Sequence, residues 1–182
     1  MAKVLVLLAQ GCEELEAVTV VDILRRAGID VITAGLLPGP VKASRGIVLL
    51  PDAELEQVRH QSFDMIVLPG GMPGSEHLKN DARVIGLLKI MAIAGKYVAA
   101  ICAAPMALHA AGLLHDKNVT SFPGVLDQLP GSHRYCKEAV VVDGNIVTSR
   151  GPGTALDFSL TLTELLAGRP VRQQVEAALQ RC

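Results

Sequence analysis

The chain has 182 residues, half of them hydrophobic, 19% charged and only 3% aromatic, with a net charge of -1 at pH 7. That length and composition provide for one core rather than two, and with Trp absent the core has to be built from Ile, Val, Leu and Ala, which suits a parallel sheet covered by helices on both faces. Interleaved charge signs without a basic run or an aromatic ladder argue against nucleic acid as a partner, and no stretch is apolar for long enough to span a bilayer.

Taken in chain order, "KVLVLLA" reads as a first buried strand. The apolar run 4–9 is too short for a signal core, and Gln10 interrupts it before Cys12. "CEELEAVTVVDILRRAG" places Leu15, Val18, Thr19, Ile23 and Ala27 on one helical stripe that closes at Gly28. The strand "DVITAGL" follows, opening a βαβ unit with a right-handed crossover as the default. "PVKASRGIVLLPD" predicts a hairpin at the sheet edge, and "FDMIVLPGG" a buried strand running into a glycine loop. A helix over 82–94 and the strand "KYVAAIC" come next, then a helix, an irregular stretch 114–137 and a hairpin in "AVVVDGNIVTS" turning at Asp143-Gly144. "GPGTALDFSLTLTELLAG" predicts a helix entered at Pro152 and ended by Gly168, and "PVRQQVEAALQRC" a last one with Pro170 in its first turn. The sum is a single domain over 1–182, a flavodoxin-like doubly wound α/β/α sandwich with a mostly parallel sheet and a β-hairpin addition.

The four cysteines (Cys12, Cys102, Cys136, Cys182) are widely spaced and form no C-x-x-C. Neither a metal site nor a disulfide framework is indicated, and the expected setting is a reducing cytoplasm. Cys102 stands apart because it lies where a strand feeds a helix, at the carboxyl edge of the sheet where ligand crevices form. A strand-to-helix turn through one residue needs small neighbours, and Ala100 and Ala104 flank it at two residues on each side. Amides at the helix start are expected to favour thiolate there. The alternative is a small buried hydrophobe, the usual role of a free cysteine; Cys12 and Cys136 are read that way, and Cys182 as an exposed terminal thiol.

A thiol nucleophile needs a proton partner, and Glu13, Glu14 and Glu16 lie near the same sheet edge. Complementing the helix dipole accounts for Glu13 and Glu14. Glu16, beside apolar neighbours, is either a surface acid or a half-buried carboxyl with a raised pKa that bonds the sulfur; periodicity does not decide. Gly70 and Gly71 can offer oxyanion amides beside that of Ala103, or simply form a turn. Arg150 before a glycine-rich helix start is a candidate anion holder. The glycine pattern there is incomplete, since Leu156 stands at its sixth position, and there is no Walker lysine, so no nucleotide or other cofactor is expected. The residue after Cys102 is Ala103 rather than histidine, which removes support for peptide hydrolysis.

The motifs "GCEELEAV", "LRRAGIDV", "ASRGIVLLPDA", "FDMIVLPGG", "AAICAAP" and "TSRGPGTALDF" occur in that order. With them the chain resembles the ThiJ/PfpI superfamily, in its Parkinson-disease-associated deglycase branch. The resemblance implies a homodimer, a reactive Cys102, a protonated Glu16 contacting it, and the amides of Gly71 and Ala103 beside the sulfur. It also implies that Arg45 and Arg150 lie near the pocket, and Arg25 and Arg26 near the dimer interface. Phe122 stands where some relatives carry histidine. The expected function is that of a cysteine-dependent, glutathione-independent glyoxalase or deglycase acting on methylglyoxal-type dicarbonyls or on their adducts with proteins and nucleotides. The alternative is a redox-responsive chaperone or sensor whose Cys102 oxidises to sulfinate.

Overall fold

A computed structural model describes residues 1–181; Cys182 lies outside them. The chain runs β1 (Lys3–Leu8), α1 (Glu14–Arg26), β2 (Asp30–Gly35), β3 (Val41–Lys42), β4 (Val48–Leu49), β5 (Ala53–Glu54), α2 (Leu55–Val58) and β6 (Met65–Leu68). It continues through α3 (Gly74–Asn80), α4 (Ala82–Ile93), β7 (Tyr97–Ile101), α5 (Pro105–Ala110), β8 (Asn118–Val119), β9 (Arg134–Tyr135), β10 (Val140–Asp143), β11 (Ile146–Ser149), α6 (Ala155–Ala167) and α7 (Arg169–Ala178). Seven strands form one sheet in the order β10-β11-β7-β6-β1-β2-β5, parallel except for the β10/β11 hairpin at one edge.

The central strands β1, β6 and β7 are almost wholly apolar because both of their faces are covered. Along β1, Leu5 and Leu7 point into a core with Leu78, Leu88 and Leu108 of α3, α4 and α5. Val4, Val6 and Leu8 point the other way, toward Ala17, Val20 and Leu24 of α1 and Phe158 and Leu162 of α6. The period-two alternation of a strand thus fills two separate helix layers, which is the flavodoxin-like arrangement.

Three expectations are corrected. The predicted hairpin forms, but as a separate two-stranded sheet, β3 with β4, and β5 takes the edge of the main sheet. The inward face of α1 is Glu14, Glu16, Ala17, Val20, Ile23 and Leu24, whereas Leu15 and Val18 from the predicted stripe are each half exposed. Short helices α2 and α3 occupy segments that the periodicity left unassigned.

Candidate functional site

The loops after β1, β6, β7 and β11 meet at the carboxyl edge of the sheet. Cys102 is held there with φ +64°. A side chain in this left-handed region costs about 1–2 kcal/mol, so surrounding bonds must impose it. They do: its N–H donates to the Ser149 carbonyl at 2.9 Å, its own carbonyl accepts from Phe122 N–H at 2.8 Å, and Ala104 N–H closes on Ile101 at 3.0 Å. Ala100 and Ala104 are fully buried against the turn, as its tightness requires.

The glycine loop fits against this corner because it lacks side chains. A Cβ on Gly70 would lie 2.6 Å from Cys102 Cβ and 2.8 Å from Glu16 Oε2; one on Gly71, at φ +87°, would collide with Glu13 N. Gly70 also ties the loop to α1 twice: its carbonyl accepts from Glu13 N–H at 2.8 Å, and its N–H donates to Glu16 Oε2 at 2.7 Å.

Glu16 is fully buried. Loss of water raises its pKa from 4.5 to about 7, against the opposing pull of hydrogen bonds from Gly70 N–H and Cys102. Its second oxygen, Oε1, has no partner that meets hydrogen-bond geometry among the described residues, and the Cys102 thiol is the side-chain group that contacts this carboxyl. For Cys102 the expectation of a lowered pKa is corrected. Burial first, then the Glu16 charge and its hydrogen bond, push the thiol up to about 12, while bonds from the Gly71 and Ala103 amides pull it down. The physical reason is that α5 has only six residues and begins at a proline, so its dipole and free amides are too few to outweigh desolvation.

Of the residues singled out from sequence, Glu16, Gly71 and Ala103 are thus gathered on Cys102. Arg45 and Arg150 make contacts of their own with other residues. The Arg45 backbone N–H donates to Glu14 at 3.0 Å, with its side chain in solvent, and the Arg150 guanidinium donates to the Lys137 carbonyl at 3.0 Å. Reading Glu13 and Glu14 as dipole complements missed their main contacts. Glu13 accepts from Ser44 Oγ at 2.7 Å; Glu14, buried, accepts from Ser44 Oγ and from the Arg45 and Ile47 amides, and against the upward pull of burial the bonds from its own amide and from Arg45, Ile47 and Ser44 hold its carboxyl below the usual range. The pair clamps the β3/β4 hairpin to the head of α1. An acidic pair in a first helical turn carries no mark of such a partner, which lies about 30 residues away.

Cys12 is fully buried, and burial with the nearby Glu14 charge raises its thiol to about 11. The histidines lie elsewhere: His109 and His133 bond the carbonyls of Pro130 and Leu126, His115 pairs with Asp116, and His60 and His77 are exposed.

A flavodoxin-like sheet whose strained non-glycine corner at a strand end presents a thiol to a buried acid is the architecture of a cysteine-centred α/β sandwich protein. The chain belongs to the DJ-1/PfpI family, whose model matches residues 2–165. It is 46% identical to the Protein dj-1beta of Drosophila melanogaster over 96% of this chain and 95% of that one. The crystal structure of Drosophila melanogaster DJ-1beta superposes with a TM-score of 0.96 at 44% identity, covering 100% of this chain and 98% of that chain. The Caenorhabditis elegans protein named glutathione-independent glyoxalase DJR-1.2 is 38% identical over 87% of this chain and 85% of its own length.

Proposed function

We propose that the protein is a glutathione-independent glyoxalase, with deglycase action on the early adducts of the same dicarbonyls, and that Cys102 and Glu16 carry the chemistry. The observation that bears most weight is the buried Glu16 carboxyl, held by Gly70 N–H at 2.7 Å beside a thiol that also faces the Gly71 and Ala103 amides. The glyoxalase named among the relatives supports the same reading.

In the proposed cycle, Sγ adds to the aldehyde carbon of methylglyoxal as the thiol proton passes to the Glu16 carboxylate. The oxyanion meets the Gly71 and Ala103 amides and takes that proton, giving a hemithioacetal. Glu16, again ionised, removes the proton from C1; the hydroxyl proton passes from the C1 oxygen to the C2 oxygen of the enediolate, and Glu16 returns its own proton at C2, leaving a thioester. Water then releases lactate and the free thiol. Proton shuttling of this kind is worth about 10²–10⁴ in rate. The test is lactate formation from methylglyoxal without glutathione. Wild type should form it, and folded Cys102→Ser and Glu16→Gln should not; undiminished turnover in either variant would refute the assignment.

A second reading has its own observation, a buried Glu16 carboxyl that contacts Cys102 and keeps one oxygen, Oε1, without a partner among the described residues. A protonated Glu16 can donate to one oxygen of a Cys102 sulfinate, formed by two equivalents of peroxide with release of two waters, and so arrest oxidation at that stage. This would make the same pocket a redox sensor. Intact-mass analysis after mild peroxide should find two added oxygens on Cys102, and no gain there would discard the idea.

The assembly proposed is a homodimer. Leu15 and Val18 of α1, with Ile47, Val48 and Leu50 of the hairpin, are 50% to 79% exposed, and a groove of about 300 Å³ lined by Val18, Val21, Leu49 and Leu50 runs between these elements. Apolar surface of this extent on adjoining elements fits a self-complementary contact. Arg25, bonded to Asp52 at 2.8 Å, stands at its edge. Light scattering at micromolar concentration should give twice the chain mass. Cys12, Cys102 and Cys136 form no disulfide among the described residues, in accord with a cytoplasmic setting.

A further inference from the structure

The glyoxalase reading leaves the substituent on the dicarbonyl open, and any preference among substituents rests on that reading. Phe122 lies outside regular structure, yet its backbone and its ring are both tied to the Cys102 turn. Its N–H donates to the Cys102 carbonyl at 2.8 Å. Its ring leans on Gly151, where an added Cβ would come within 3.3 Å of Phe122 Cδ2. Gly151 stands two residues beyond Ser149, whose carbonyl accepts the Cys102 N–H at 2.9 Å. The two peptide groups of Cys102 are therefore bonded to the two segments that carry the ring and the surface beneath it. Phe122 is nevertheless 49% exposed, and Met72, the residue after Gly71, is 52% exposed. Core packing accounts for neither, because a large apolar side chain on a segment that borders the Cys102 turn or the glycine loop and left half bare gains little from burial.

We propose that Phe122 is a specificity residue, with Met72 as a second apolar contact, and that the preferred substrates are 2-oxoaldehydes carrying an apolar and above all an aryl substituent. With the aldehyde carbon on Sγ, the substituent on the neighbouring ketone carbon extends over the free face of the ring. The bond changes are those of methylglyoxal: phenylglyoxal adds through its aldehyde, the C1 proton moves to C2, and water releases mandelate. Stacking of one aromatic ring on another is worth a factor of about 2–10.

The experiment compares kcat/KM for phenylglyoxal and methylglyoxal, read as mandelate and lactate, in wild type, Phe122→Leu and Phe122→Tyr. The ratio of the two constants does not depend on how much enzyme is folded. It should favour phenylglyoxal in wild type and in Phe122→Tyr, which keeps the ring, and fall about 2- to 10-fold in Phe122→Leu. Met72→Gln, on an exposed loop, provides the same comparison if Phe122→Leu does not fold, and should lower the ratio in the same direction. An unchanged ratio overturns the specificity role while leaving the glyoxalase reading intact. A wild type that forms neither lactate nor mandelate overturns both.

Discussion

Replacing Glu16 by Gln makes the energetics of the site measurable apart from its chemistry. The carboxyl titrates at 4.5 in the unfolded chain and at about 7 in the folded one, because it is fully buried. Below pH 4.5 it is protonated in both states and leaves stability unaffected. Between pH 4.5 and 7 the unfolded chain releases the proton while the folded chain keeps it, so wild-type stability declines as pH rises. Above pH 7 both states are ionised and the folded state carries the full penalty, about 3 kcal/mol at about 1.4 kcal/mol per tenfold change in proton affinity. Gln has no such titration, and its amide can accept from Gly70 N–H while directing its NH2 at the sulfur. Cys102, held up to about 12, does not titrate in this window. Urea unfolding of both proteins at pH 4.5 and pH 8 should therefore show Glu16→Gln gaining about 3 kcal/mol on wild type between the two conditions, or about 1–1.5 M in midpoint. A difference that stays flat across this range would mean that Glu16 is not a buried titrating acid, and the proton-shuttle assignment would fall with it.

In wild type, kcat/KM for methylglyoxal should rise with pH through about 7, since Glu16 must be ionised to accept the thiol proton; a flat pH profile between about 5.5 and 8 would contradict that order of steps. Gly70→Ala should lower stability by about 1–3 kcal/mol and abolish turnover, because its methyl would meet Cys102 Cβ at 2.6 Å and Glu16 Oε2 at 2.8 Å; thermal melts and the lactate assay read the two effects. Glu14→Ala should leave the Arg45 and Ile47 amides without their acceptor, at about 1–3 kcal/mol, and hydrogen exchange should quicken at those amides more than at the β1 amides. Phe158→Ala, at a fully buried ring between α6 and the sheet, should cost about 3–5 kcal/mol in urea unfolding.

The sheet was legible in the sequence because its strands are buried on both faces and punctuated by Gly and Pro, and the Cys102 corner because a tight strand-to-helix turn selects small residues at fixed offsets. Where reading failed, a distant contact outweighed a local pattern. On α1 the apolar stripe suggested Leu15 and Val18 as part of the inner face, but Glu16 reaches Gly70 N–H and the thiol, so the first two turns present Glu16, Ala17 and Val20 inward and leave Leu15 and Val18 half exposed, while Ile23 further along stays buried. The exposure of those leucine and valine side chains is thus a consequence of burying an acid. The bond that decides it joins residues 54 apart in the chain. Periodicity reports how a segment meets the bulk core, whereas a buried carboxyl placed for chemistry is set by one specific donor, and no window of neighbouring residues contains both.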